Sequence, residues 1–308
     1  MVYKYSRSLN CKGLHLLNKT GTVVFVLIFI QLLFGVNFPA SKVIVQQMDP
    51  VLWSNLRFFF AGIGMLAMTL VMRRKHPPIT KSFLSQVSIL SILSMALGQG
   101  LFLVGLQYTS SINSSIIITF IPILTLLIVI LRKQESLTYN KFIGIILAFM
   151  GVILMRDINQ LSLGNSTFIG DILVFCAALC FAMYLSFGKK FFMKYDNMWS
   201  TTWMFFISSF VMSLFNFTKF SSLGSFEFSE LFIQCALFSI IGATLLTYLL
   251  NNWALKRAPS GNVAIFIYLQ PVVAGLIGYF FLDEIITVRM LMCGVLIMIG
   301  LIFTLQKK

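Results

Sequence analysis

Residues 113–136 read NSSIIITFIPILTLLIVILRKQES and residues 262–285 read NVAIFIYLQPVVAGLIGYFFLDEI. Each opens on asparagine, carries a proline within an apolar run and ends around a glutamate, and the two lie 149 residues apart. The same offset puts Ser111 on Ser260, Asn113 on Asn262, Pro122 on Pro271, Glu135 on Glu284 and Gly151 on Gly300. Upstream, at offsets of 146 to 147, FGVNFPASK (34–42) falls on FAMYLSFGK (181–189), and Trp53-Ser54 falls on Trp199-Ser200. The chain is therefore an internal repeat, with a first copy at 1–156 and a second at 157–308.

Working outward from these stretches, ten apolar runs span 22–45, 51–72, 84–107, 111–131, 139–156, 169–190, 199–217, 230–253, 262–282 and 286–305. A hydrocarbon core about 30 Å thick needs roughly 20 apolar residues per helix. The expectation is an all-α integral membrane protein of ten transmembrane helices in two five-helix repeats. The first run is short enough to resemble the core of a signal peptide, but its place in the repeat argues that it stays. An odd number of helices per copy makes the second copy enter the membrane from the opposite side, so the repeats are inverted, the plan of many secondary transporters.

Of the 308 residues, 58% are hydrophobic and 10% are charged, which excludes a soluble enzyme. The net charge of +14 falls in short clusters between apolar runs rather than on one soluble face, so no nucleic-acid partner is expected. With the N-terminus in the cytoplasm, 18 basic residues fall inside and four outside (Lys42, Arg156, Lys219 and Arg289), with Arg57 inside a helix. That satisfies the positive-inside bias and places both termini in the cytoplasm. The expected partners are the lipid bilayer and a small-molecule substrate, the location is a bacterial inner membrane, and a monomer is plausible.

The first helix ending FGVNFPASK, the second opening PVLWSNLRFFFAG, and the paired stretches quoted above resemble the EamA-type branch of the drug/metabolite transporter superfamily over nearly the whole chain. The resemblance implies a ten-helix carrier exporting amino acids, metabolites or drugs, with a central cavity lined mainly by helices 1, 3, 4, 6, 8 and 9. Family members often carry Leu-Gly-Glu before helix 5. Here Glu135 follows Arg132-Lys133-Gln134, and Leu282-Asp283-Glu284 is closer to that pattern.

The candidate cavity lining is Asn37 on helix 1, Gln99 on helix 3, Asn113, Ser114, Ser115 and Thr119 on helix 4, and Tyr184 on helix 6. Helix 8 adds Tyr248, Asn251 and Asn252, and helix 9 adds Asn262, Tyr268 and Gln270. Such residues also serve as ordinary interhelical hydrogen bonds. Arg57 is the one charged side chain well inside a helix, about 10 Å from its outer start, and is either paired structurally or part of a gate. Pro122 and Pro271 remove a backbone hydrogen bond near mid-helix and are candidate hinges. Glu135 and Glu284 precede the last helix of each half and suit capping, while Gly144, Gly151, Gly294 and Gly300 suit close packing.

No enzyme is expected: the chain carries no acidic metal cluster, no nucleophile with its base, and no phosphate loop for ATP. His15 and His76 have no ligand partners at suitable spacing, and the five cysteines form no framework. No cofactor or metal is implied. A secondary transporter that exports a small metabolite, an amino acid or similar, is the leading expectation, with an importer or exchanger of a nucleotide-like or other metabolite as the alternative, and a membrane-embedded enzyme or receptor behind both.

Overall fold

The computed structural model describes residues 3–109, 111–154, 165–216, 229–273, 276 and 288–305. In chain order the helices are α1 (Tyr3–Gln47), α2 (Pro50–Val71), α3 (Lys81–Tyr108), α4a (Ser111–Ile118) and α4b (Ile121–Leu131), and α5 (Tyr139–Leu154). The second half follows with α6 (Asn165–Lys194), α7 (Asn197–Asn216), α8 (Glu230–Arg257), α9 (Ser260–Val273) and α10 (Val288–Leu305). Among the described residues there is no strand. Among the described residues, six helices are long and apolar enough to cross a bilayer: α2, α3, α7, α8, the Gly21–Gln47 part of α1 and the Phe168–Lys194 part of α6. α4b, α9 and the apolar parts of α5 and α10 are shorter.

The helix starts show why the halves fold alike. Asp49 caps α2, its carboxylate accepting from Val51 N at 3.0 Å and Leu52 N at 3.1 Å. Asp196 caps α7 in the same way, accepting from Met198 N and Trp199 N at 3.0 Å each. Thr80 caps α3 through Phe83 N at 3.1 Å, and Ser229 caps α8 through Phe232 N at 3.2 Å. Each side chain satisfies donors that the first helical turn leaves without a partner. Within each pair the two caps are equivalent positions of the repeat.

Packing follows the same exchange. α2 lies on α7, α5 on α10, α1 on α8, and α3 on α6, and swapping the halves maps this set onto itself. Where α5 crosses α10 the backbones nearly touch: a Cβ on Gly300 would lie 2.5 Å from Gly144 O. The expected close packing of Gly294 is corrected, since a Cβ there would meet nothing within 4 Å. Outward-facing side chains such as Phe210, Leu214 and Leu131 are 66%, 66% and 72% exposed, a surface suited to lipid.

Both prolines mark broken helices. Pro122 opens α4b after a two-residue turn at 119–120, because its ring lacks an N–H and crowds the preceding turn. In α9, residues Phe266–Tyr268 tighten into a 3-10 turn ahead of Pro271. A second irregularity lay outside any sequence expectation: α3 widens into a π-helix over Ile92–Leu97, and α8 does so over Ile241–Leu246. These segments are again 149 residues apart.

Candidate functional site

Six helices line a cavity of about 50 Å³. α1 contributes Gln31, Phe34, Asn37 and Phe38, α3 contributes Gly98, Gln99 and Phe102, and the break in α4 contributes Ile118 and Ile121. Facing them stand Ala177, Phe181 and Leu185 of α6, Asn251 of α8, and Val263, Ile267 and Gln270 of α9. These are the helices that the family resemblance implied.

Ten of these sixteen residues form five pairs of repeat-equivalent positions: Phe34 with Phe181, Phe38 with Leu185, Phe102 with Asn251, Ile118 with Ile267, and Ile121 with Gln270. The cavity therefore lies where the two halves meet as equals in position. Its chemistry is unequal, since Phe102 and Ile121 are answered by Asn251 and Gln270.

The carboxamides of the wall are held in place. Gln270 Nε2 donates to Gln31 Oε1 at 2.7 Å, and Asn37 Oδ1 accepts from Ser239 Oγ at 3.1 Å. Asn251 Nδ2 approaches the Tyr184 hydroxyl at 3.4 Å, and Gln99 lies beside the Tyr248 hydroxyl. Among the described residues, no charged side chain lines the cavity.

Arg57 is fully buried behind this wall. Its Nε donates to Thr244 Oγ1 and its Nη2 to Ala243 O at 3.3 Å, both in the π-helix of α8. Thr244 Oγ1 donates in turn to Ser239 O at 2.6 Å. Because the hydroxyl of the same Ser239 holds Asn37, a polar chain leads from the buried guanidinium to the cavity. The other π-helix is also gripped from the opposite half, by Tyr248, whose hydroxyl donates to Ser94 O at 3.0 Å. A π-helix leaves carbonyls short of their usual partners, and one carbonyl in each segment, Ser94 O and Ala243 O, is met here by a side chain of the other repeat.

Polar clusters lie beyond the cavity along α1 and α6. Lys42 donates to Leu106 O at 2.6 Å and Thr109 O at 3.0 Å, while the Thr109 hydroxyl donates to Asp171 at 2.6 Å. Lys189, the repeat counterpart of Lys42, donates to Ala258 O at 2.6 Å. Beside it Glu135 pairs with Lys141 at 2.7 Å and accepts from Gly261 N at 3.2 Å. Glu135 thus caps α9 of the other half rather than the first turn of α5.

Residues 21–156 and 168–306 each match the EamA-like transporter family. The chain belongs to that family. Relatives include an uncharacterized transporter of Bacillus subtilis strain 168, YoaV, 26% identical and covering 93% of this chain and 98% of its own length. An uncharacterized transporter of Archaeoglobus fulgidus is 27% identical over 89% of this chain and 95% of its own. The WAT1-related protein At4g30420 of Arabidopsis thaliana is 27% identical, covering 89% and 82%. A crystal structure 14% identical in sequence superposes with a TM-score of 0.73 over 92% of this chain and 95% of that one, a likeness of fold alone.

Of the residues expected to line an EamA-type cavity, Asn37, Gln99, Asn251 and Gln270 do so. Tyr184, Tyr248, Asn252 and Tyr268 are buried behind the wall. Tyr184 donates to Asn252 Oδ1, and Asn252 Nδ2 donates to Thr201 at 2.8 Å, so this cluster braces α6, α7 and α8. Ser115 and Thr119 are buried in α4 outside the wall, and the Asn113 side chain lies outside the described residues. The Asn262 Oδ1 and Tyr268 hydroxyl are buried without a partner, as are the hydroxyls of Ser114 and Thr125. Arg57 sits in the α2–α8 contact, while Pro122 and Pro271 lie in the two broken helices. Glu284 and Asp283 fall outside the described residues.

Gln31 was not foreseen. Its signal was present in the sequence, because 31, 34 and 38 share one face of a helix at spacings of three and four. A second crevice of about 230 Å³ between α2 and α8 is lined only by apolar side chains, among them Trp53, Phe60 and Phe232, and offers no polar recognition.

Proposed function

We propose that this chain is a secondary transporter that moves a small metabolite across a bacterial inner membrane by alternating access, using ten transmembrane helices in two inverted repeats. The observation that carries the reading is the cavity wall, where five pairs of equivalent positions meet. When inverted repeats exchange their conformations, a site open to one face becomes open to the other.

In this reading the Lys189, Glu135 and Lys141 cluster closes the cytoplasmic side and the Lys42, Thr109 and Asp171 cluster closes the outer side. A cavity of about 50 Å³ holds only a few waters, so a solute larger than that needs the wall to move. Of the ten buried side-chain groups without partners among the described residues, four, on Ser114, Thr125, Asn262 and Tyr268, lie on the broken helices α4 and α9. Unpaired buried groups are costly, and motion of α4 and α9 about Pro122 and Pro271 offers them partners in another state.

Export is the favoured direction, both termini are cytoplasmic, and the driving force is the solute gradient or exchange. Among the described residues no carboxylate lines the cavity for a proton relay. The test is uptake and counterflow of labelled solutes by proteoliposomes holding the purified chain. Chemically unchanged solute that accumulates only with the protein supports the reading, whereas indifference to a broad panel sinks it.

A further inference from the structure

Arg73, Arg74 and Lys75 follow closely on α2, and their backbone is held in place. Arg73 turns into the left-handed region at φ 49. Its N–H then donates to Leu70 O at 2.9 Å and the Arg74 N–H donates to Thr69 O at 3.2 Å, the paired bonds that close a helix C-terminus. Two tryptophans of α7, in the other repeat, clamp the segment that follows. Trp199 Nε1 donates to Arg74 O at 2.9 Å, and Trp203 Nε1 donates to His76 Nε2 at 3.1 Å. The His76 ring stands 4.3 Å from the Trp199 ring, and its Nδ1 donates to Pro77 O at 2.6 Å.

The clamp leaves the three charged heads free. All three residues are exposed, and among the described residues none of them forms an ion pair. The nearby Asp196 carboxylate is engaged by Met198 N and Trp199 N. The negative end of α2 favours one basic residue at its close and leaves the others uncompensated. Lys81 opens α3 and Lys194 closes α6 at the same end, where the Tyr195 hydroxyl lies beside Lys194, Ser82 and Thr80. At the offset that pairs Trp53 with Trp199, the three positions fall on Lys219, Phe220 and Ser221, so the repeated fold does not itself demand a basic run here.

Trp199 and Trp203 lie two and six residues into α7, about 3 and 9 Å below its start at 1.5 Å per residue. Both are half-buried, and tryptophans at that depth mark the headgroup boundary of a bilayer. The basic segment above them therefore stands at the level of the lipid phosphates, where anionic lipids supply the negative charge. A guanidinium matches a phosphate with two parallel hydrogen bonds.

We propose that this patch binds the headgroup of an anionic phospholipid, with Arg73, Arg74 and Lys75 around its phosphate and the Trp199 and Trp203 rings against its acyl ester region. Because the patch joins the end of α2 to the start of α7, a bound lipid fastens the first repeat to the second.

The full chain is purified in a neutral detergent and titrated with phosphatidylglycerol or phosphatidylcholine, with retained lipid counted by native mass spectrometry and the unfolding temperature read in parallel. Phosphatidylglycerol should be retained and should raise the unfolding temperature, and phosphatidylcholine should do neither. Arg73→Gln, Arg74→Gln and Lys75→Gln together should weaken retention about a hundredfold at low salt, since each basic residue at an anionic surface contributes about fivefold. Lys307→Gln with Lys308→Gln should leave it unchanged. Equal retention of the two lipids, or equal retention by the triple variant and the unchanged chain, overturns the proposal. Inorganic phosphate or a short oligonucleotide that protects as well as phosphatidylglycerol also overturns it, since the patch would then be a general anion surface.

Trp203→Phe keeps every charge and removes the bond to His76. Retention should fall several-fold, and full retention would reduce the patch to diffuse charge and overturn the role of the clamp. Should the triple variant fail to fold, as judged by size-exclusion profile, salt carries the test on the unchanged chain. Retention should fall steeply between about 50 mM and about 500 mM salt, and indifference to salt overturns the assignment.

Discussion

Arg57 in the first repeat donates to Thr244 in the second, at the segment where α8 departs from α-helical winding. The guanidinium is wholly buried, and among the described residues it has no carboxylate partner, so a carbonyl and a hydroxyl oxygen, with the Phe58 ring 5.9 Å away, support its charge. This contact ties α2 to the helix that positions Asn37. Arg57→Ala should lower solute flux by about tenfold or more while the protein still inserts and purifies. Thr244→Val should cost about 1–3 kcal/mol of stability by leaving the guanidinium short of a partner. Thermal unfolding in detergent and flux in vesicles provide both readouts, and wild-type flux in Arg57→Ala would remove this contact from the mechanism.

The two lysines at repeat-equivalent positions should gate opposite faces. With native cysteines replaced and Asn251→Cys as a reporter on the cavity wall, Lys189→Met should speed labelling by a membrane-impermeant thiol reagent from the cytoplasmic side. Lys42→Met should speed it from the outer side. Equal acceleration from both sides by either variant would contradict the assignment of one gate to each face.

Pro122→Ala and Pro271→Ala restore an N–H to helices that are broken now. Each should leave the unfolding temperature close to that of the unchanged protein, because a proline in the first turn of a helix, where Pro122 stands, removes no intrahelical hydrogen bond. Flux should fall several-fold if the breaks act as hinges. Full flux with straightened helices, seen as slower backbone amide exchange through 117–122 or 266–271, would confine the prolines to packing.

Gly144→Val should be the most damaging substitution for folding. The α5 and α10 backbones approach too closely at Gly144 and Gly300 for any Cβ, and overpacking of this kind costs about 1–3 kcal/mol or more. Yield of monodisperse protein checks it, with Gly294→Val as the control, since that position opens on free space.

Helix positions and the repeat could be read from the chain because both are carried by side-chain type: apolar runs, two prolines and matched asparagines at one offset. The capping pairs Asp49 with Asp196 and Thr80 with Ser229 belong to the same class of signal. The π-helices at Ile92–Leu97 and Ile241–Leu246 escaped because a change in backbone winding leaves no mark on hydropathy. Tyr184 and Tyr248 were expected in the wall, yet a tyrosine between helices has its ring and hydroxyl satisfied equally well by neighbouring chains. Only tertiary packing decides which way it turns. Glu135 shows the same limit, since its position fits its own following helix and its carboxylate reaches across to Gly261 of the other half.

Phe102 answers Asn251 across the cavity, and Ile121 answers Gln270. In the proposed alternating-access cycle, two halves that exchange shapes but not chemistry have different free energies in their two open forms, so the empty protein rests more often toward one compartment. If the cycle is passive, as proposed, this yields no uphill work, because detailed balance ties both directions to the same overall equilibrium. In that cycle the mismatch sets the concentration at which each face half-saturates, so one side of the membrane would serve as a high-affinity entrance and the other as a low-affinity exit.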